Sequence, residues 1–274
     1  MLRLCLAAAV TLATSLPLRA ASPEEAQRLY DALSMPEVVG IMQQEGMTYG
    51  DDLRDELFPG RGGAAWDAVV ASLYQAPAME ELVRTRFLAL LADVDVAPLI
   101  DFFTSDLGKR IVRLELEARR ALIDKDVEET AKDVLAEMRQ RGDPRLDLLE
   151  RFIDANDLVD SNVVGAMNSN YAFYSGLLAG NAFDGTMSDE QVLADVWAQE
   201  PEIRADTIDW VYAYLALAYQ PLKDASLVEY TELSESEPGQ GMNQAIFGAF
   251  DEMYVTISRA LGQAAAQFIA GEDL

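Results

Sequence analysis

Two stretches of the chain decide the fold: VVGIMQQEGMTYGDDLRDELFPG at residues 38–60 and VVGAMNSNYAFYSGLLAGNAFDG at residues 163–185. They share eight identical residues in one register, at an offset of 125 positions. Within each stretch, apolar residues recur three or four positions apart, which is the spacing of one face of an α-helix. Strand-like alternation is found nowhere at length. The repeat therefore predicts an all-α protein that arose by internal duplication.

The repeat continues beyond these stretches with small insertions. It predicts two homologous helical-bundle units, at residues 23–140 and 143–274. Ser22 and Ser188 each begin a capping box, and this pattern predicts the N-terminus of a helix. Gly142 is expected to end the last helix of the first unit, because glycine readily adopts the left-handed conformation of a helix C-terminus.

The segment from about Ser105 to Arg141 is predicted to form one long helix with its charged side chains in water. Three charge pairs in it have the favoured i,i+4 spacing: Glu115 with Arg119, Glu128 with Lys132, and Glu137 with Arg141. Each such pair contributes only about 0.2–0.5 kcal/mol. We interpret them as surface pairs that keep the helix folded, and not as a site.

The composition excludes several chemistries. The chain has 274 residues, no His and a single Cys, which is Cys5. Without His, neither a Ser-His-Asp triad nor a Cys-His pair can form. The formal net charge of −26 makes nucleic acid and anionic lipid poor partners. The sequence identifies no catalytic residues, no cofactor-binding residues, no metal ligands and no cofactor.

The N-terminal residues have the pattern of an export signal. Residues 1–20 combine the basic Arg3, a short apolar run and small residues, which together predict a signal peptide that is cleaved near Ala20 or Ala21. The apolar run is too short for a stable membrane span. We therefore expect an exported, periplasmic protein with no transmembrane span in the mature chain.

A cluster of polar residues suggests a ligand pocket. Asn168, Asn170, Tyr171 and Tyr174 lie close together in a predicted helix, where Asn is not a favoured residue. An Asn- and Tyr-lined pocket could bind a small solute. The alternative is a solvated helix face with local caps, where Asn is also common.

One motif carries a family resemblance. Residues 99–110 read LIDFFTSDLGKR, and this stretch resembles the signature of a bacterial exported helical family that is defined only as a domain of unknown function. The matching positions are Phe102, Phe103, Ser105, Gly108 and Arg110. We expect structural roles for them: a helix N-cap at Ser105 or the preceding Thr104, and a close helix contact at Gly108. The resemblance implies an all-helical exported protein and no particular activity.

Three functional hypotheses remain open. The first is a non-enzymatic interaction or holdase-like protein that acts on an unknown envelope protein. The second is a small-molecule or lipid-binding protein that uses the crevice between the two units. The third is an enzyme that relies on carboxylates, Tyr, Ser or Lys. A large cavity would favour the second hypothesis. The oligomeric state cannot be predicted from the sequence.

Overall fold

The computed structural model describes residues 21–183 and 185–271. Every regular element in these residues is a helix, which confirms the predicted all-α class. The helices are α1 (Pro23–Ala32), α2 (Met35–Leu57), α3 (Gly63–Leu73), α4 (Ala76–Leu90), α5 (Ala97–Thr104), α6 (Asp106–Ala121), α7 (Lys125–Arg141), α8 (Arg145–Ala155), α9 (Leu158–Ala179), α10 (Asp189–Ala198), α11 (Glu200–Tyr219), α12 (Asp224–Glu235) and α13 (Glu237–Ala270). The predicted signal peptide, residues 1–20, lies outside the described residues.

Several helix ends follow from local sequence signals. The hydroxyl of Ser22 accepts a hydrogen bond from the backbone N–H of Glu25, whose carboxylate accepts one from the N–H of Ser22. Ser188 and Gln191 form the same reciprocal pair at the start of α10. Gly142 ends α7 in the left-handed conformation, at φ 60°. These predictions are confirmed because helix caps depend only on residues that are close in sequence.

The prediction of one long helix from Ser105 to Arg141 is wrong, because the structure divides this segment into α6 and α7. The side chain of Asp124 accepts a hydrogen bond from the N–H of Asp126 at 3.0 Å and starts a new helix. The preceding Leu122 is buried at the end of α6. A favourable N-cap and the burial of an apolar side chain therefore outweigh the weak i,i+4 pairs that would favour a continuous helix.

The longest helix, α13, lies at the centre of the packing. Its most extensive contacts are with α9, followed by those with α4. Two glycines allow α9 and α13 to approach closely: a Cβ on Gly176 would lie 2.2 Å from the carbonyl oxygen of Arg259, and one on Gly262 would lie 2.0 Å from that of Phe173. Within the described residues, no helix is both long enough and apolar enough to cross a membrane.

Helices recur in the same order along the chain. The first set, α1–α6, has 10, 23, 11, 15, 8 and 16 residues, and the second set, α8–α13, has 11, 22, 10, 20, 12 and 34. Unusual backbone conformations recur as well. Ser34 and Asp157 precede α2 and α9 with φ near 50°, and Gly60 and Gly185 follow these helices with φ of 74° and 73°. Common descent of the two sets stays a prediction.

The two sets pack against each other in a reciprocal way. The last helix of the second set, α13, packs on α4 of the first set, and the last helix of the first set, α6, packs on α11 of the second. The additional helix α7 also packs on α11. The largest core cluster includes side chains from both sets, among them the stacked rings of Phe58 and Phe268. Most of the described helices therefore contribute to one large core, and α10 packs on α9 through a separate, smaller cluster.

Candidate functional site

A cavity of about 880 Å³ lies between the two helix sets. Helices α2 and α6 of the first set and α8, α9, α11, α12 and α13 of the second contribute side chains to its wall. Binding sites for small molecules typically measure about 300–1,000 Å³ and are lined by apolar and aromatic side chains with a few polar groups. The cavity has the size and the position of such a site.

Most of the wall is aromatic or apolar. Helix α11 contributes Trp210 and Tyr214, whose rings stack with centroids 5.2 Å apart. Tyr219 and Phe152 meet edge to face at 5.4 Å, and Phe152 also contacts the ring of Tyr230 at 4.9 Å. Rings held by such contacts have few accessible rotamers. The wall therefore presents fixed aromatic surfaces to the cavity.

An ion pair crosses the cavity wall from α6 to α2. The guanidinium of Arg119 donates two hydrogen bonds to the carboxylate of Glu45, both at 2.9 Å. The side chains remain 24% and 30% exposed because they face the cavity. Burial by itself would lower the pKa of Arg119, but the hydrogen bonds and the charge of Glu45 raise it above its ordinary value. Arg119 is thus a permanent cation whose charge is balanced by Glu45.

Glu115, one turn before Arg119 on α6, has a different environment. Its Oε1 accepts a hydrogen bond from the hydroxyl of Tyr219 at 2.6 Å, and its backbone carbonyl accepts one from Tyr214 at 3.3 Å. Burial raises the pKa of Glu115 to about 7, although hydrogen bonds from Tyr219 and Tyr230 act in the opposite direction. Within residues 21–183 and 185–271, Glu115 forms no ion pair with a basic side chain. This carboxyl group can therefore gain or lose a proton near neutral pH.

The tyrosines around Glu115 stay protonated. Burial, followed by the charge of Glu115, raises the pKa of Tyr214, Tyr219 and Tyr230 above the ordinary value. Their hydroxyl groups consequently remain hydrogen-bond donors throughout the physiological pH range. In the part of the chain that the structure describes, no group of three or more His, Cys, Asp or Glu residues could hold a metal ion.

The structure separates the four residues of the sequence-predicted pocket. Asn168 and Asn170 line the cavity, where their amides donate hydrogen bonds to Asp251 at 2.9 Å and to Gln199 at 3.3 Å. Tyr171 and Tyr174 instead pack on the neighbouring face of α9, in a cluster with the buried Val192 and Val196 of α10. Tyrosines three positions apart share one helix face, and that face is turned toward α10.

The residues of the family signature occupy the junction of α5 and α6. Ser105 caps α6 by accepting a hydrogen bond from the N–H of Gly108 at 3.1 Å. A Cβ on Gly108 would lie 2.1 Å from the carbonyl oxygen of Phe102, so the two helices meet closely. Phe103 is fully buried, and Arg110 donates a hydrogen bond to the carbonyl oxygen of Pro221 at 2.8 Å. These contacts are structural, and none of these residues lines the cavity.

The signature is nevertheless connected to the cavity through Tyr230. The ring of Phe102 stacks on Tyr230 at 5.6 Å, and the ring of Phe103 meets it edge to face at 6.0 Å. Tyr230 itself forms part of the cavity wall beside Glu115. The junction of α5 and α6 therefore supports the position of a wall residue that belongs to the second helix set.

Sequence reasoning missed the charged groups of the site. The predicted pair of Glu115 with Arg119 is wrong, because Arg119 binds Glu45 instead. The other two predicted pairs do form, with N–O distances of 2.6 Å for Lys132 and Glu128 and 3.7 Å for Arg141 and Glu137. One signal could have found the site: Glu115 and Arg119 interrupt the apolar stripe of α6, at helical spacing from Gly108 and Ile111.

Comparisons with known proteins find one family model that matches part of the chain. No curated protein and no solved structure shows significant similarity to this protein. Residues 77–137, which contain the signature as well as Glu115 and Arg119, match the model of a family described as an uncharacterized protein conserved in bacteria (DUF2059). The predicted resemblance to an uncharacterised bacterial family is therefore confirmed over these residues.

Proposed function

We propose that the protein is exported to the periplasm and binds a small molecule in the cavity between its two helix sets. The observation that carries the proposal is the cavity of about 880 Å³, whose wall is mostly aromatic or apolar and contains the charged groups Glu45, Glu115 and Arg119. Concave sites of this size are few on a protein, and removing a charge from water is costly unless a counter-ion or hydrogen bonds compensate for it. A large cavity with desolvated charges is the usual combination at a ligand site.

The interaction or holdase hypothesis has weaker support. Tyr49 and Val164 line the cavity, and the other large apolar side chains that are exposed in the described residues lie on three helices: Val134 on α7, Leu193 and Trp197 on α10, and Leu217 on α11. Single exposed apolar residues are normal on a folded protein. The hypothesis therefore rests on Leu193 and Trp197, which are one turn apart, and on the acidic surface.

Export to the periplasm is part of the proposal and rests on the sequence. Residues 1–20 have the composition of a signal peptide, and the strongly acidic chain of net charge −26 is poorly suited to bind nucleic acid or anionic lipid. A binding protein of the envelope would meet its ligand after translocation. N-terminal sequencing of the periplasmic protein should give a chain that begins near Ala21 or Ser22.

We also propose that the two helix sets descend from one duplicated unit. The support is the shared order of helix lengths, the matching backbone conformations at Ser34 and Asp157, and the eight sequence identities. Under this proposal the cavity occupies the contact between two related units. Such interfaces between packed units are common positions for ligand sites.

The test is native mass spectrometry of the protein purified from the periplasm of the cells that make it. Gly165 lines the cavity, and a Cβ added there would meet nothing within 4 Å, so Gly165→Phe should place a ring in the cavity without a backbone clash. Gly40 occupies the equivalent position in the other repeat, also has open space around it and does not line the cavity. Gly40→Phe is therefore a matched control.

We expect the wild-type protein and Gly40→Phe to retain a small molecule that denaturation releases, and Gly165→Phe to lose it. Both variants should keep the wild-type helical content in circular dichroism. A bare wild-type chain, or equal retention by the two variants, would contradict the proposal.

A further inference from the structure

The charges on the cavity wall are unbalanced. The carboxylates on the wall belong to Glu45, Glu115, Asp157, Asp160 and Asp251. Among the described residues that line the cavity, Arg119 is the single basic one. Asp157 and Asp160 lie on exposed positions, and Asp160 is 2.5 Å from Arg204 outside the cavity wall. Asp251 is half-buried, and its carboxylate accepts a hydrogen bond from the amide of Asn168. The remaining charged groups, which α2 and α6 contribute, are Glu45, Glu115 and Arg119.

Within this group of three, only Glu115 lacks a counter-ion. The two hydrogen bonds between Arg119 and Glu45 use one face of the guanidinium and both oxygens of that carboxylate. Glu115 receives hydrogen bonds from tyrosine hydroxyls but no positive charge. An anionic ligand would meet this carboxylate in a desolvated space, where repulsion is stronger than in water. A cationic ligand would supply the missing counter-ion.

The aromatic wall is also suited to a cation. Trp210, Tyr214, Tyr219, Tyr230 and Phe152 all line the cavity, and several of these rings are fixed by contacts with one another. The faces of aromatic rings carry partial negative charge and attract ammonium groups within about 6 Å of the ring centroid. A carboxylate among such rings is the combination that recognises ammonium compounds in proteins.

We propose that the ligand of this cavity is an organic ammonium compound, with its positive charge beside Glu115 and its apolar part against the aromatic wall. This inference rests on the proposed function, because it assumes that the cavity binds a small molecule. It adds the chemical class of the ligand and the residue that selects it. Neutral compounds of the same shape would lack the charge interaction, and anions would be repelled.

The proposal predicts a pH dependence of binding. The titratable side chains that line the cavity around Glu115 are Arg119 on α6, Glu45 on α2, Tyr214 and Tyr219 on α11, Tyr230 on α12 and Tyr254 on α13. Burial lifts the pKa values of these tyrosines, and Arg119 is charged at all accessible pH values. Glu115, with its pKa at about 7, is therefore the group whose charge changes near neutrality. Affinity for an ammonium compound should rise as pH increases through about 7, with release of a proton on binding.

The experiment uses isothermal titration calorimetry at about 0.15 M salt, which screens the exposed acidic surface. The probes are tryptamine, tryptophol and indole-3-propionate, which share one ring system and differ in carrying a positive, no or a negative charge. We expect tryptamine to bind about tenfold or more tightly than tryptophol, because only tryptamine gains a charge-assisted hydrogen bond to the carboxylate of Glu115; a tenfold preference corresponds to about 1.4 kcal/mol. Indole-3-propionate should bind more weakly than either.

Two variants assign the selectivity to a residue. Glu115→Gln keeps the shape of the side chain and should lower the ratio of the tryptamine affinity to the tryptophol affinity about tenfold, because the attraction between carboxylate and ammonium is lost while the cation–π contacts remain. Glu117→Gln removes an exposed carboxylate from the same helix and should leave the preference unchanged. Equal or tighter binding of tryptophol or of indole-3-propionate to the wild-type protein would overturn the inference and leave the proposed binding function intact.

If none of the three probes binds, the charge of the molecule that native mass spectrometry finds retained on the protein tests the inference. An ammonium compound would support the inference, and a neutral or anionic compound would overturn it. A wild-type chain that retains nothing and binds no probe would instead overturn the proposed function itself. The two failures are therefore distinguishable.

Discussion

Helices α6 and α13 begin in the same way and then differ in chemistry. Ser105 caps α6 through the N–H of Gly108 at 3.1 Å, and Ser236 caps α13 through the N–H of Gly239 at 3.2 Å. In both helices a Cβ on the glycine would lie 2.1 Å from a backbone carbonyl oxygen of the preceding helix. The two helices thus begin with the same serine cap and the same close glycine contact.

The difference appears farther along the two helices. Seven residues after the glycine, α6 has Glu115 and α13 has Ile246; eleven residues after it, α6 has Arg119 and α13 has Phe250. All four side chains line the cavity. Equivalent positions therefore supply charged groups from α6 and apolar groups from α13 to the cavity wall. The two helices therefore share the capped start and the close glycine contact, and the charged groups of the site lie at positions where their sequences differ.

The largest expected effect on stability comes from substituting the glycine at the start of α6 or of α13. Gly108→Ala and Gly239→Ala would each place a methyl group against a backbone carbonyl oxygen, which cannot move as a flexible side chain can. We expect each substitution to lower the free energy of unfolding by about 2–4 kcal/mol, measured by urea denaturation. Gly165→Ala, which has open space, is the control and should be neutral or slightly stabilising. A neutral result at either Gly108 or Gly239 would contradict the proposed equivalence.

The second prediction concerns the pH dependence of stability that Glu115 of α6 causes and that Ile246, at the corresponding position of α13, cannot cause. Because burial raises its pKa from 4.5 to about 7, the folded state binds more protons than the unfolded state between these values. The contribution of Glu115 to stability should therefore fall as pH rises from about 4.5 to about 7, by about 1–3 kcal/mol.

Urea denaturation of the wild type and Glu115→Gln at several pH values measures this effect. The variant should lose the dependence and be the more stable protein above about pH 7. Glu117→Gln, which changes the same net charge at an exposed position, should follow the wild type. Parallel pH profiles for wild type and Glu115→Gln would refute the assignment.

The third prediction concerns the ion pair between Arg119 and Glu45. Arg119→Met leaves Glu45 without its partner in the cavity wall and should lower the free energy of unfolding by about 1–2 kcal/mol, a value reduced by the partial exposure of both side chains. Adding Glu45→Gln should recover part of this loss. A double-mutant cycle measures the coupling, which should exceed that between Arg119 and Glu115. A larger coupling to Glu115 would restore the pair that the sequence predicts.

The smallest expected effects lie on α9. Asn168→Ala removes one hydrogen bond at an exposed position and should change the free energy of unfolding by about 0.5 kcal/mol or less. Asn170→Ala should weaken retention of the ligand, while Tyr171→Phe should not, because Tyr171 packs toward α10 and does not line the cavity. If neither asparagine affects stability or ligand retention, Asn168 and Asn170 have no part in the site.

The features that the sequence predicts correctly are those that depend on neighbouring residues. The all-α class follows from apolar spacing, and the helix ends at Ser22, Ser188 and Gly142 follow from local hydrogen bonds. The site depends on contacts between distant residues. Arg119 and Glu45 are 74 positions apart, and no local pattern shows that α2 and α6 bring them together. For the same reason, helical spacing predicts Glu115, the acidic neighbour at i−4, as the partner of Arg119, although Arg119 binds Glu45 in the structure.

A crystal structure of the protein purified from the cells that make it tests the central claim most directly. The account predicts electron density for a small molecule in the cavity, with a positively charged group within hydrogen-bond distance of Glu115 and the remainder against the rings of α11. The same crystals of Gly165→Phe should show the cavity closed and free of that molecule. A cavity filled only by ordered water, or a ligand bound elsewhere on the protein, would contradict the account.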